Sequence, residues 1–184
     1  MQRLAVGRDL AIAPRVFPAP LFDLSDPSQP FEVGELPTSG LGVYDAALAE
    51  DRAYAWTAGE QQPPRVWIFD VSQPAEPVEL GIVEMPDRFR TASTVVGTRL
   101  FVSGGGEFAI YDVADPSHVQ QVGSLQLPWS GDSRRISLYG ARAFLGPDSA
   151  LWSEPRIFRI LDLSDPTQPS EIAALQTMAS ANQV

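Results

Sequence analysis

The stretch FDLSDPSQP, Phe22–Pro30, ends an apolar run on an Asp, adds Ser-Asp-Pro, and places a second Pro three residues later. Two carboxylates so close together suggest a metal or catalytic site. The same letters also describe a way to end a strand, because Asp accepts backbone N–H groups two residues on and Pro blocks continuation while fixing φ for a turn. The rest of the chain favours the second reading. The stretch returns as FDVSQPAEP (Phe69–Pro77), YDVADPSHV (Tyr111–Val119) and LDLSDPTQP (Leu161–Pro169). Counted from the first Asp of each copy, at 23, 70, 112 and 162, the steps are 47, 42 and 50 residues.

A second signature keeps the same beat: LAVGRDLAIA (Leu4–Ala13), ALAEDRAYAW (Ala47–Trp56), TVVGTRLFVS (Thr94–Ser103) and SLYGARAFLG (Ser137–Gly146). Each is a short apolar strand, a tight turn and another short strand. Gly7, Gly97 and Gly140 suit turn positions with positive φ, and Glu50-Asp51 fills that place in the second copy. Each repeat then reads as four strands: Gln2–Val6, Asp9–Ala13, Ala19–Asp23 and Phe31–Leu36 in the first; Tyr44–Leu48, Arg52–Thr57, Arg65–Asp70 and Val78–Val83 in the second; Thr91–Val96, Arg99–Ser103, Glu107–Asp112 and Val119–Leu125 in the third; Arg134–Leu138, Arg142–Leu145, Arg156–Asp162 and Glu171–Leu175 in the fourth. No segment has a sustained helical period.

Four strands in each repeat of about 40–50 residues is the arithmetic of a β-propeller blade. The fold class expected is therefore all-β, with four four-stranded blades at approximately 1–37, 42–84, 90–127 and 133–176 and a polar tail over 177–184. The motif of an aromatic or Leu, Asp, Leu or Val, Ser-Asp-Pro-x-x-Pro, preceded by Gly and a short strand, resembles the LVIVD-repeat propellers of bacteria and archaea. It is distantly similar to the WD-repeat blade. The third copy departs from it at Ala114 and Val119 and the second at Gln73, so no single Asp pair is kept throughout. The resemblance implies rings of more than four blades, which makes an arc of a longer propeller the expectation and a closed four-blade disc its rival. Open blade faces would leave apolar surface and favour association through the blade edges.

Composition narrows the function classes. The net charge of −10 disfavours a nucleic-acid partner and anionic membrane surfaces. The absence of Cys excludes disulfides, thiolate metal sites and Cys nucleophiles. No apolar run approaches the length of a membrane span. The opening MQRLAVGRDLAIAP is too charged for a signal peptide, which leaves a cytoplasmic location or an N-terminus beyond this chain. The family resemblance alone implies an extracytoplasmic or cell-surface setting.

Each candidate chemical group has a simple structural account. Asp23, Asp26, Asp70, Asp112, Asp115, Asp162 and Asp165 recur because every blade needs the same turn, and the dense Asp, Asn and Gly alternation of a calcium loop is missing. His118 stands where Gln29, Glu76 and Gln168 stand in the sister repeats, which marks a solvated turn residue. SGGGE (Ser103–Glu107) precedes a strand, not the helix a phosphate cradle needs, and reads as a hairpin turn. The basic clusters DRFR (Asp87–Arg90) and Arg134-Arg135 read as solvated, ion-paired edges. No metal, cofactor or catalytic residue is expected.

Topology supplies a better place to look. In an up-and-down sheet the Asp-Pro turns lie at the same end as the tight turns after strand one. The loops after strands two and four share the other end, and they vary from repeat to repeat. That end carries Arg88, Phe89, Arg90, Trp129, Asp132 and Trp152, a set rich in the aromatic and Arg residues enriched in binding hot spots. The leading expectation is a non-catalytic binding or scaffold module, with a protein or small ligand on the variable loops. The alternative is a piece of a propeller enzyme of hydrolase or lactonase type, with catalytic residues in further blades.

Overall fold

Among the described residues the strands form four antiparallel four-stranded sheets. The computed structural model describes residues 4–7, 9–14, 17–59, 62–85, 92–104, 106–128, 133–147 and 156–177. Sheet 1 holds β1 (Ala5–Val6), β2 (Leu10–Ile12), β3 (Ala19–Asp23) and β4 (Phe31–Leu36). Sheet 2 holds β5 (Val43–Ala49), β6 (Arg52–Gly59), β7 (Gln62–Asp70) and β8 (Val78–Glu84). Sheet 3 holds β9 (Ala92–Val96), β10 (Arg99–Gly104), β11 (Glu107–Asp112) and β12 (Gln120–Gln126). Sheet 4 holds β13 (Ser133–Tyr139), β14 (Arg142–Pro147), β15 (Arg156–Asp162) and β16 (Ser170–Thr177). Each sheet is a meander in chain order, so the strands read from the sequence appear in the expected order with small shifts at their ends. Thr177, expected to begin the tail, closes β16. Among the described residues the only helical element is a 3-10 turn at Pro116–His118.

The chain divides into two compact units. The first is Met1–Arg88 with Val95–Thr98 and Val113–Val119; the second is Phe89–Thr94, Arg99–Asp112 and Gln120–Val184. In the first unit, Ile12, Ala19, Leu21 and Leu36 of sheet 1 form one core cluster with Val43, Ala53, Ala55, Trp67, Phe69 and Val71. The rings of Trp67 and Phe69 lie parallel within it, 6.1 Å apart. In the second unit, Phe101, Phe108 and Ile110 cluster with Ala143, Leu145 and Leu161 of sheet 4. Strand alternation produces this pattern, since residues two apart share a face. Leu21 and its partner Gly34 point to one side of sheet 1, while Phe69 and its partner Ala53 point to the other side of sheet 2.

In every sheet a β-bulge recurs at the same place in the pairing of the third strand with the fourth. The register shifts between Leu21 and Phe22, between Ile68 and Phe69, between Ile110 and Tyr111, and between Ile160 and Leu161. The extra residues on the outer strands are Val33, Leu80, Val122 and Ile172, one position before Gly34, Gly81, Gly123 and Ala173. A repeated bulge increases local twist and re-aims the strand ends in each sheet in the same way.

The tight turns depart from expectation at one point. Gly97 and Gly140 have φ of 57°, and Glu50 takes the same left-handed conformation at 54° despite its side chain. Gly7 is not in that region. A Cβ there would come within 3.2 Å of the Cβ of Leu48, a tight approach.

Candidate functional site

At the turn end of each sheet the carboxylates have a defined use. The Asp23 carboxylate accepts from the Ser25 N–H at 2.7 Å, Asp70 from Ser72 at 2.8 Å, and Asp162 from the Ser164 N–H at 2.9 Å and from its hydroxyl at 2.6 Å. One turn further, Asp26 accepts from the N–H and hydroxyl of Ser28, Asp115 from those of Ser117, and Asp165 from those of Thr167. In the third copy Ala114 stands where the others have Ser, and Asp112 is ion-paired with Arg99 at 2.5 Å. These are the Asx turns expected from the residue types.

Two backbone bonds recur with them. A β-turn closes from the N–H of Gln29, Glu76, His118 and Gln168 to the carbonyl of Asp26, Gln73, Asp115 and Asp165, with Pro always second in the turn. Gln73 makes the same turn without a carboxylate, so the Pro and the backbone suffice for its path. The residue after the strand-ending Asp then ties the two turns together. Leu24, Val71, Val113 and Leu163 donate their N–H to the carbonyls of Asp9, Asp51, Thr98 and Ala141. His118 is exposed, with its Nδ1 2.8 Å from the Ser117 hydroxyl and 3.0 Å from the Asp115 carboxylate.

These hydrogen bonds set a pH response. The hydroxyl and then the N–H of Ser25 hold the Asp23 carboxyl below its ordinary value, and Ser28, Ser72, Ser117, Ser164 and Thr167 act likewise on Asp26, Asp70, Asp115, Asp162 and Asp165. A carboxyl depressed in the folded state contributes stability at pH values above its unfolded value, and that contribution is lost as pH falls through the folded value. The melting temperature should therefore be flat near neutrality and fall below about pH 4. The six-fold Asp→Asn variant should show a shallower acid decline than the parent in melting scans across that range. Equal slopes would mean that these carboxylates are not coupled to folding.

Sequence reading overlooked a column of arginines. Arg52, Arg99 and Arg142 open the second strand of their sheets, in register with Asp70, Asp112 and Asp162. Arg52 reaches past its own sheet and donates to the carbonyls of Val113 at 2.8 Å and Ala114 at 3.3 Å. The signal was present, since Arg follows each tight turn in three of the four copies.

The loop end differs. Arg88, Phe89, Arg90, Trp129, Asp132 and Trp152 all lie outside the described residues. What is described there is a set of buried polar groups. Thr38 is buried in the connection after β4 and donates its hydroxyl to the Leu41 carbonyl at 2.6 Å. Thr57 is buried near the end of β6 and accepts from the Trp67 indole at 2.9 Å. Arg159 is buried in β15, ion-paired with Glu171 and donating to the Pro128 carbonyl at 3.1 Å. Arg159 takes the strand position held by Trp67 in sheet 2, which no charge pattern in the sequence discloses. Two large aromatic residues, Phe17 and Tyr44, are exposed at this end of the first unit.

The LVIVD repeat matches residues 94–126 and 155–177, which span the motif copies of sheets 3 and 4. Two segments of this chain thus match the LVIVD repeat. No curated protein matches it in sequence. Among solved structures, a protein from Lactobacillus plantarum is similar with a TM-score of 0.75 at 13% identity, over 97% of this chain and 56% of that one. The computationally designed Ika8 protein gives 0.69 at 8% identity, over 94% and 48%. A hypothetical selenium-binding protein from Sulfolobus tokodaii gives 0.68 at 8% identity, over 91% and 52%. This chain thus spans about half the length of each of these proteins, and at such identities the likeness is one of fold. Its four sheets are propeller-type blades, and the all-β architecture read from the repeat holds. Among the described residues no helix is long and apolar enough to cross a membrane.

Proposed function

We propose that this LVIVD-repeat chain is a non-catalytic binding or scaffold module, with its partner held by the variable loops after the second and fourth strands of each blade. The observation that supports this most is the use of the recurring carboxylates. The polar groups that a repeat could array as a reactive ring are engaged in building their own turns. Chemistry that varies from blade to blade is left to the opposite end, where Phe17 and Tyr44 are exposed and where the sequence places Phe89, Trp129 and Trp152 beside Arg88, Arg90 and Asp132. Aromatic and Arg side chains on a rigid scaffold favour a protein or small ligand that offers apolar and acidic groups.

Photo-crosslinking with captured binding partners tests this. Crosslinkers replacing Phe17 and Tyr44 should label the partner, and crosslinkers replacing Val96 and Tyr139, exposed beside the tight turns, should not. A folded Phe89→Ala/Trp129→Ala variant should lose at least about tenfold in affinity. Crosslinks confined to the turn end, or full binding by the double variant, would place the partner elsewhere.

A further inference from the structure

Three of the four outer strands receive a proline turn in one manner. A Cβ on Gly34 would lie 2.2 Å from the carbonyl oxygen of Pro74. On Gly81 it would lie 2.0 Å from that of Pro116, and on Gly123 2.4 Å from that of Pro166. Each of these glycines follows the bulge residue of its strand and pairs with Leu21, Ile68 or Ile110. The carbonyl of the turn's proline thus occupies the space where any side chain would begin, and only glycine admits it. The turns that dock in this way keep their prolines covered: Pro74, Pro116 and Pro166 are half-buried.

Two members of the series are unmatched. In sheet 1 the equivalent turn has Pro27 and Pro30 both exposed. In sheet 4 the position paired with Ile160 is Ala173, not glycine. The rest of that face is built to be covered. Phe144 and Phe158 stack at 6.2 Å and are half-buried with Ile160, whereas their counterparts in the other sheets are buried. Leu175 is 56% exposed, where Leu36 and Val83 in the same column are buried.

We infer that the Asp26–Pro30 turn is the open half of a blade joint whose partner is a blade carrying glycine after its outer-strand bulge, and that Ala173 bars a second copy of this chain from being that partner. A second copy presents Gly34, Gly81 and Gly123 already filled by its own turns. Its remaining face presents a methyl group where the Pro27 carbonyl must enter, far inside van der Waals contact. One carbon atom therefore separates an apolar face that would self-associate head to tail from one that does not, a form of selection by clash.

The Ala173→Gly chain serves as the probe, because it supplies the missing glycine. Sedimentation of the parent, A173G, A173S and A173G/P27G chains over a wide concentration range reads the joint. A173G should associate at least about tenfold more tightly than the parent. A173S should stay at the parent level, and P27G should return A173G to it. Position 173 is half-buried in an outer strand, so folding should survive the glycine. As a second measurement, amides of Ser28 and Gln29 in labelled parent should gain hydrogen-exchange protection when A173G is added. The inference is overturned if A173G associates no better than the parent, if its association survives P27G, or if the parent already self-associates through the Pro27 turn.

Discussion

Gly81→Ala should destabilise the first unit by about 3 kcal/mol, at the upper end of what overpacking costs. The new methyl would meet the Pro116 carbonyl oxygen at 2.0 Å and its carbon at 2.9 Å, both backbone atoms. A side-chain neighbour could rotate away, but this one is held from several directions. The Asp115 carboxylate fixes the Ser117 N–H, the His118 N–H closes the turn on the Asp115 carbonyl, and Arg52 anchors the preceding carbonyls of Val113 and Ala114. Relief of the clash requires the turn to lift off the strand, which forfeits the Arg52 bonds and uncovers Pro116. The control is Gly42→Ala. Nothing lies within 4 Å of its would-be Cβ, and its backbone is outside the left-handed region. That change should be neutral or slightly stabilising, because alanine restricts the unfolded chain. Urea unfolding followed by Trp fluorescence would compare the two. A Gly81→Ala loss within about 0.5 kcal/mol of the Gly42→Ala value would show that the turn yields freely.

The repeat made the blades legible because two physical signals coincide in it. Alternating apolar residues mark strands, and Asp, Ser and Pro at fixed offsets mark the turn that ends them. The carboxylate roles were equally legible, since short polar side chains before a proline have few other backbone partners. The glycines of the outer strands were not. Gly34, Gly81 and Gly123 look like ordinary weak points of a strand, and their purpose rests on a carbonyl more than thirty residues away. Arg159 was hidden for a similar reason. In sequence it is one charged residue in an alternating strand, and its bonds to Glu171 and to the Pro128 carbonyl, which help it to be tolerated inside, are not local to it. Gly7 shows the converse error. The sequence pattern assigned it a positive φ, whereas in the structure it lies outside that region and packs closely on Leu48. Local chemistry reads directly from a repeat, whereas contacts between repeats do not.

That distinction predicts unequal effects at equivalent motif positions. Phe22 and Phe69 both precede the strand-ending Asp, yet Phe69 is fully buried and Phe22 is half-buried. Phe69 belongs to the core cluster that contains Ile12, Leu21 and Leu36 of the neighbouring sheet, and it stacks on Trp67. Phe69→Ala should therefore cost about 4 kcal/mol, the transfer energy of the ring plus a cavity that the clamped sheets cannot close. Phe22→Ala removes the same atoms from a site open on one side, where water fills the space. It should cost about 1–2 kcal/mol. Losses equal within about 0.5 kcal/mol in urea unfolding would mean that the motif position, and not the neighbouring blade, sets the energy. The comparison also bears on the open joint. A glycine-bearing blade docked on the Asp26–Pro30 turn would cover the same side of sheet 1 that Phe22 faces. In the A173G assembly the Phe22→Ala cost should then rise toward that of Phe69→Ala, because burial that is absent in the single chain would be completed by the partner.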